Sequence, residues 1–145
     1  MFLGQFTHTI DDKGRLTIPA RFRASLAHGA VVTQGFDRNL MVYTRESFEQ
    51  VAQKAAALSS TDPEARAIRR MIFGGAADLT LDSAGRILIP SFLREYAAFD
   101  GELAIVGAGA YFEVWGAELW GQELTSVTDP DLNARRFSAY DLSTG

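Results

Sequence analysis

The chain has 145 residues, 47% of them hydrophobic and 22% charged. That globular balance excludes a disordered chain and gives one ordinary domain, or two small ones that share a core. There is no cysteine, which excludes a disulfide framework, a thiol nucleophile and any cysteine-ligated zinc or iron–sulfur centre. The net charge of −4 argues against a general nucleic-acid coat protein.

Met1 to Gln5 has no basic segment of the kind that opens a signal peptide. Phe6, His8 and Ile10 alternate with Thr7 and Thr9, which predicts a strand with one buried face. Asp12-Lys13-Gly14 predicts a tight turn, with Gly14 supplying a positive φ. Leu16 and Ile18 return on the buried face, so Arg15 and Thr17 point the other way. Pro19 ends the ladder and suits the first turn of a helix, a short one over 20–27. Strands are predicted at 30–33 and 40–43, joined by the loop 35–39. An amphipathic helix follows over 44–58, with Phe48, Val51 and Ala55 on one stripe. Asp62 as N-cap with Pro63 behind it starts another helix, ending near Gly74-Gly75. In the second half Arg86 and Leu88 alternate against Ile87 and Ile89, and 91–99 takes a short helix. Gly107 and Gly109 fall between strands, as a hairpin turn and not a dinucleotide fingerprint. No apolar run approaches the ~18 residues that span a membrane, and the default address is the cytoplasm.

The chain repeats itself. Asp11-Asp12-Lys13-Gly14-Arg15-Leu16-Thr17-Ile18-Pro19 aligns with Asp82-Ser83-Ala84-Gly85-Arg86-Ile87-Leu88-Ile89-Pro90. Thr9-Ile10 aligns with Thr80-Leu81, Gly35 with Gly107, and the run from Leu40 to Tyr43 with the run from Phe112 to Trp115. Asp62-Pro63 with Arg69-Arg70 returns as Asp129-Pro130 with Arg135-Arg136. This ordered series predicts an α+β protein of two duplicated units, each β-hairpin, short helix, β-hairpin, helix.

Charge separates the halves. Residues 1–70 carry ten Lys/Arg and seven Asp/Glu, net +3, whereas residues 71–145 carry four and eleven, net −7. Lys13, Arg15, Arg21 and Arg23 cluster on one turn and the helix after it. The matching positions are Ala84, Arg86, Phe92 and Arg94. The D-x-x-G-R turn alone reads as structure: Asp11 accepts turn N–H groups, Gly14 closes the turn and Arg15 flanks it. The basic cluster adds a way to dock a polyanion locally. No pattern of a metalloprotease, a serine hydrolase or a P-loop occurs. His8 reads as a packed or interface histidine, and His28 as a helix-end residue suited to the dipole. No catalytic residue, metal site, cofactor or small-molecule substrate is expected. A ring-forming scaffold without DNA is the competing class; its support is Phe2, Leu3, Phe36, Met41, Phe112, Trp115 and Trp120, most of which read more simply as core.

The segments from Phe2 to Arg23 and from Asp82 to Arg94, with Phe73-Gly74-Gly75-Ala76 between them, resemble the MraZ family. The resemblance covers residues 1–125 or so and carries nothing over to the tail after Thr128. It implies a bacterial transcriptional regulator acting at the division and cell-wall gene cluster. It also implies a fold related to AbrB-type swapped-hairpin domains, with a β-barrel core flanked by helices. The units implied are a DNA-contacting half-domain at 5–50, linking helices at 51–75, a second half-domain at 76–121 and a C-terminal helix and tail at 122–145. The implied partners are double-stranded DNA, as short direct repeats, and further copies of the chain in a homo-oligomeric ring; the implied location is the nucleoid. Carried over, the DNA-contacting loop runs from Asp11 to Arg15, with Arg15 as principal contact and Lys13 on phosphate. Gly14 and Asp11 shape the turn. Arg21 and Arg23 meet phosphate or pair with acids of a neighbouring subunit. Asp82, Gly85 and Arg86 are expected to be structural.

Overall fold

The computed structural model describes all residues, 1–145. Eight strands form in chain order: β1 (Gln5–Thr9), β2 (Arg15–Thr17), β3 (Ala30–Gln34), β4 (Leu40–Thr44), β5 (Ala77–Leu79), β6 (Arg86–Leu88), β7 (Glu102–Gly107) and β8 (Tyr111–Gly116). The helices are α1 (Ala20–Arg23), α2 (Arg45–Ala56), α3 (Pro63–Arg69), α4 (Ser91–Tyr96), α5 (Ala117–Val127) and α6 (Pro130–Arg136). A 3-10 turn at Ala24–Leu26 prolongs α1, and a π-turn at Arg70–Gly74 prolongs α3.

The strands make one open six-stranded sheet, in the order β1-β7-β8-β4-β3-β5, and a separate ribbon of β2 and β6. Every pairing is antiparallel. Exchanging each strand with its counterpart in the other half reverses the sheet order and leaves the ribbon unchanged, so the duplication is a pseudo-two-fold. The halves interleave: β1 lies on β7 of the second half, and β5 lies on β3 of the first.

Two expectations are corrected here. The sheet does not close into a barrel; β1 and β5 are its open edges. Nor do β1 and β2 form a hairpin ladder. They touch through one bridge, Ile10 to Leu16, and then part into different sheets. The reason is burial. Leu16, Ile18, Ile87 and Ile89 are fully buried, and they reach the core only as a separate layer over the large sheet.

Three layers result. Alternating residues of the sheet (Ala30, Val32, Leu40, Val42, Leu103, Ile105, Phe112 and Val114) face the ribbon, α1 and α4 in a single apolar core. Phe2, Phe22 and Phe112 meet there at ring separations of 5.0 to 5.1 Å. The other sheet face buries Val31, Met41, Tyr43 and Trp115. Tyr43 packs against Phe48 of α2 and Trp115 against Trp120 of α5, as tilted ring pairs. Thr44 caps α2 by accepting the Ser47 N–H. Asp62 and Asp129 cap α3 and α6, each with proline next in line. Pro19 is the N-cap of α1, just ahead of Ala20.

Candidate nucleic-acid interface

The D-x-x-G-R sequence builds one compact turn, twice. In the first copy Gly14, at φ +86°, donates its N–H to the Asp11 carbonyl at 3.0 Å. Asp11 Oδ1 accepts the backbone N–H groups of Lys13 at 3.0 Å and Arg15 at 2.8 Å. Its Oδ2 accepts the Arg15 Nε–H at 2.7 Å. The second copy has the same bonds. Gly85 stands at φ +77°; Asp82 Oδ1 accepts the N–H groups of Ala84 and Arg86, both at 2.9 Å, and Oδ2 accepts Arg86 Nε–H at 2.9 Å. The backbone N–H bond from Arg15, helped by its guanidinium, holds the Asp11 carboxyl below the ordinary aspartate range. Arg86 does the same for Asp82. Each arginine is thus fixed through Nε, while its two terminal nitrogens have no partner in the chain. A guanidinium held in this way presents its outer fork to a bidentate acceptor.

Ribbon register brings the two arginines together. Leu16 pairs with Ile87, Arg15 with Leu88 and Thr17 with Arg86. Directly paired residues share a face, and Leu16 and Ile87 point into the core. The outer face therefore carries Arg15, Thr17, Arg86 and Leu88. Arg15 and Arg86 lie on its diagonal, where Cβ atoms are about 7–8 Å apart. Their side chains are 35% and 33% exposed. Lys13 is exposed at the tip of the first turn, whereas Ala84 holds that place in the second.

The basic cluster seen in the sequence is divided by the fold. The ribbon exchanges backbone bonds across the halves: Ile18 N–H donates to the Gly85 carbonyl and Ile89 N–H to the Gly14 carbonyl, both at 2.9 Å. Arg23 donates its Nε–H to the Ile18 carbonyl at 2.9 Å. A Cβ on Gly85 would meet the Arg23 Cζ at 2.7 Å. Arg23 thus packs on the second turn and not beside Arg15. Arg94 is its counterpart. It donates to the Ile89 carbonyl at 3.0 Å and lies against Gly14 of the first turn. Arg21 stays exposed on α1. Each turn therefore has one arginine from the other half beside it, and the charge at the turn that still sets Arg15 apart from Arg86 is Lys13, where the second turn has Ala84. Arg94 and Leu88 are the neighbours of the first turn that sequence reasoning missed. Their signal was the repeat itself, because equivalent residues exchange places when duplicated units interleave.

The histidines stay away from this face. His8 alternates inward on β1 with Phe6; burial, and then the nearby Arg23 charge, push its pKa down. His28 is exposed in the turn before Gly29. Among the aromatic and apolar residues held for a scaffold, Phe2, Met41, Phe112 and Trp115 are core, whereas Leu3 and Phe36 are exposed. No helix is long and apolar enough to cross a membrane.

The chain matches, over residues 1–71 and again over 72–135, the family model described as "MraZ protein, putative antitoxin-like". A protein of Herpetosiphon aurantiacus named transcriptional regulator MraZ is 47% identical over 129 residues, covering 89% of this chain and 90% of that one. Its namesake in Roseiflexus castenholzii is 47% identical over 138 residues, covering 95% and 94%. That of Thermomicrobium roseum is 47% identical over 137 residues, covering 93% and 96%. A double family match along the chain, with relatives at this identity over nearly the full length, places it: the chain belongs to the MraZ family.

Proposed function

We propose that this chain is a transcriptional regulator that binds double-stranded DNA through the outer face of the β2–β6 ribbon. The observation that carries the reading is the pair of arginines on that face, each anchored through Nε by an aspartate and each with a free terminal fork. An arginine fork matches O6 and N7 of guanine in the major groove, the commonest specific contact to DNA. Arg15 is the principal reader, with Arg86 beside it. Lys13 anchors a phosphate, which adds affinity without base information. Arg21 is a second phosphate contact. Asp11 and Gly14 hold the first turn in shape, and Asp82 and Gly85 the second; Arg23 and Arg94 brace the two turns. The relatives' printed name supports a regulatory role.

The finer picture follows from family resemblance. The interleaved hairpins belong to the AbrB-like class, several chains close into a ring, and the ring acts from the nucleoid on the division and cell-wall gene cluster. One ribbon is a small contact, so affinity comes from several ribbons on one particle engaging successive direct repeats. The test is a gel-shift on the region upstream of the protein's own operon beside an unrelated duplex, with light scattering of the same sample. Preferential binding by a particle many times 15.9 kDa is expected. A large particle that ignores DNA would leave a scaffold. A monomer at micromolar concentration would remove the ring and the multivalent argument.

A further inference from the structure

We infer that Leu88 is a second reading group on this face, one that touches the 5-methyl group of a thymine next to the guanine held by Arg15. The inference rests on the DNA-binding reading above. Leu88 is the direct cross-strand partner of Arg15 and is 55% exposed. Its two strand neighbours, Ile87 and Ile89, are fully buried, so the ribbon turns this one leucine outward. Paired residues on one face have Cβ atoms about 4.5–5.5 Å apart. The rise from one base pair to the next is about 3.4 Å, so a guanidinium on one base leaves the leucine within side-chain reach of its neighbour. In the major groove the thymine methyl is the apolar feature of the base edges. A branched aliphatic side chain beside a bidentate arginine fits that pair of chemistries.

The pseudo-two-fold sharpens the argument. The residue facing Arg86 is Thr17, not a leucine. Both ribbon ends thus pair an arginine with a methyl-bearing side chain, and the end at Arg15 carries the larger one. Phe92, 44% exposed on α4, continues the apolar character on the second half, where the first half has Arg21.

The experiment uses the whole protein and the smallest upstream fragment that it protects from nuclease. Thymines flanking guanines are replaced one at a time by deoxyuridine, which deletes only the methyl group, and binding is read by fluorescence anisotropy. For the wild type, one such replacement should weaken binding roughly fourfold per engaged ribbon, the weight of one buried methyl group. Leu88→Ala should bind the thymine and deoxyuridine duplexes equally, at the wild type's deoxyuridine level, with an unchanged particle size by light scattering. Leu88→Met, which keeps an apolar reach, should retain part of the discrimination. The inference is overturned if the wild type is insensitive at every thymine, if Leu88→Ala keeps the full methyl sensitivity, or if Leu88→Ala changes the particle instead, which would make Leu88 a contact between copies. If the wild type does not prefer the upstream fragment at all, the DNA reading itself fails and takes this inference with it, a result distinct from methyl-insensitive binding.

Discussion

Arg15→Lys separates charge from shape at the proposed site. The variant keeps a unit positive charge on the outer face of the ribbon, so the number of phosphates neutralised is unchanged. It loses two things at once. Lysine has no Nε for Asp11 Oδ2, which Arg15 binds at 2.7 Å, and it has no fork. An ammonium offers its donors from a single nitrogen, so it lacks the planar fork that spans guanine O6 and N7 while a separate N–H holds Asp11. A good bidentate pair is worth about 1–3 kcal/mol of discrimination, or about 5- to 150-fold per ribbon. If two ribbons engage independently the factors multiply, giving at least ~25-fold in the ratio of operator to random affinity. Arg15 lies on the outer face and is a third exposed, so the stability change should be limited to that of one lost surface ion pair, about 0.2–1 kcal/mol. The assay is competition binding of wild type and variant on the upstream fragment and on random duplex, across a salt series. The expected result is a collapsed preference at an unchanged salt slope. A retained preference would refute the fork argument; a slope reduced with the preference intact would make Arg15 a phosphate anchor. Arg86→Lys, with the same local geometry but no lysine at its turn tip, should show a smaller loss of the same kind.

Lys13→Ala should do the reverse, flattening the salt slope while the preferred sequence stays the same. With one or two phosphates neutralised by each of about four subunits, the wild-type log–log slope should be near −4 to −7. Ile87→Ala, at a fully buried position opposite Leu16, should cost about 2–5 kcal/mol in denaturant titrations. Because strands of the two halves interleave, the loss should appear as one transition; two separated transitions would contradict the shared core. Asp11 has a folded pKa held down by Arg15, so its contribution to the turn is present above the pKa of the unfolded chain and is lost as pH falls through the lower folded value. The amide resonances of Lys13 and Arg15 should therefore stay constant through neutral and mildly acidic pH. They should move only with a midpoint below that of the same aspartate in a short unstructured peptide; a midpoint at or above it would show that the carboxylate is not held.

The sequence by itself determined the local chemistry. Period-two alternation put Leu16 and Ile18 inward and Arg15 outward, and did the same for Ile87, Ile89, Arg86 and Leu88. The D-x-x-G-R pattern contained its own turn, because Asp11 reaches the N–H groups two and four residues on with no help from elsewhere. Asp62-Pro63 and Asp129-Pro130 declared their helix starts for the same reason. The repeat told that there were two such units. Tertiary structure alone decided who stands beside whom. A turn followed by a strand reads as a hairpin, yet β2 leaves β1 for β6, and β1 goes to β7. Pairing partners of equal composition cannot be told apart along the chain, since either choice buries the same residues locally. The whole core settles the matter: Leu16 and Ile87 lie opposite one another over the large sheet, fully buried in one cluster drawn from both halves. That exchange carried Arg23 to the second turn and Arg94 to the first, and it set Leu88 next to Arg15.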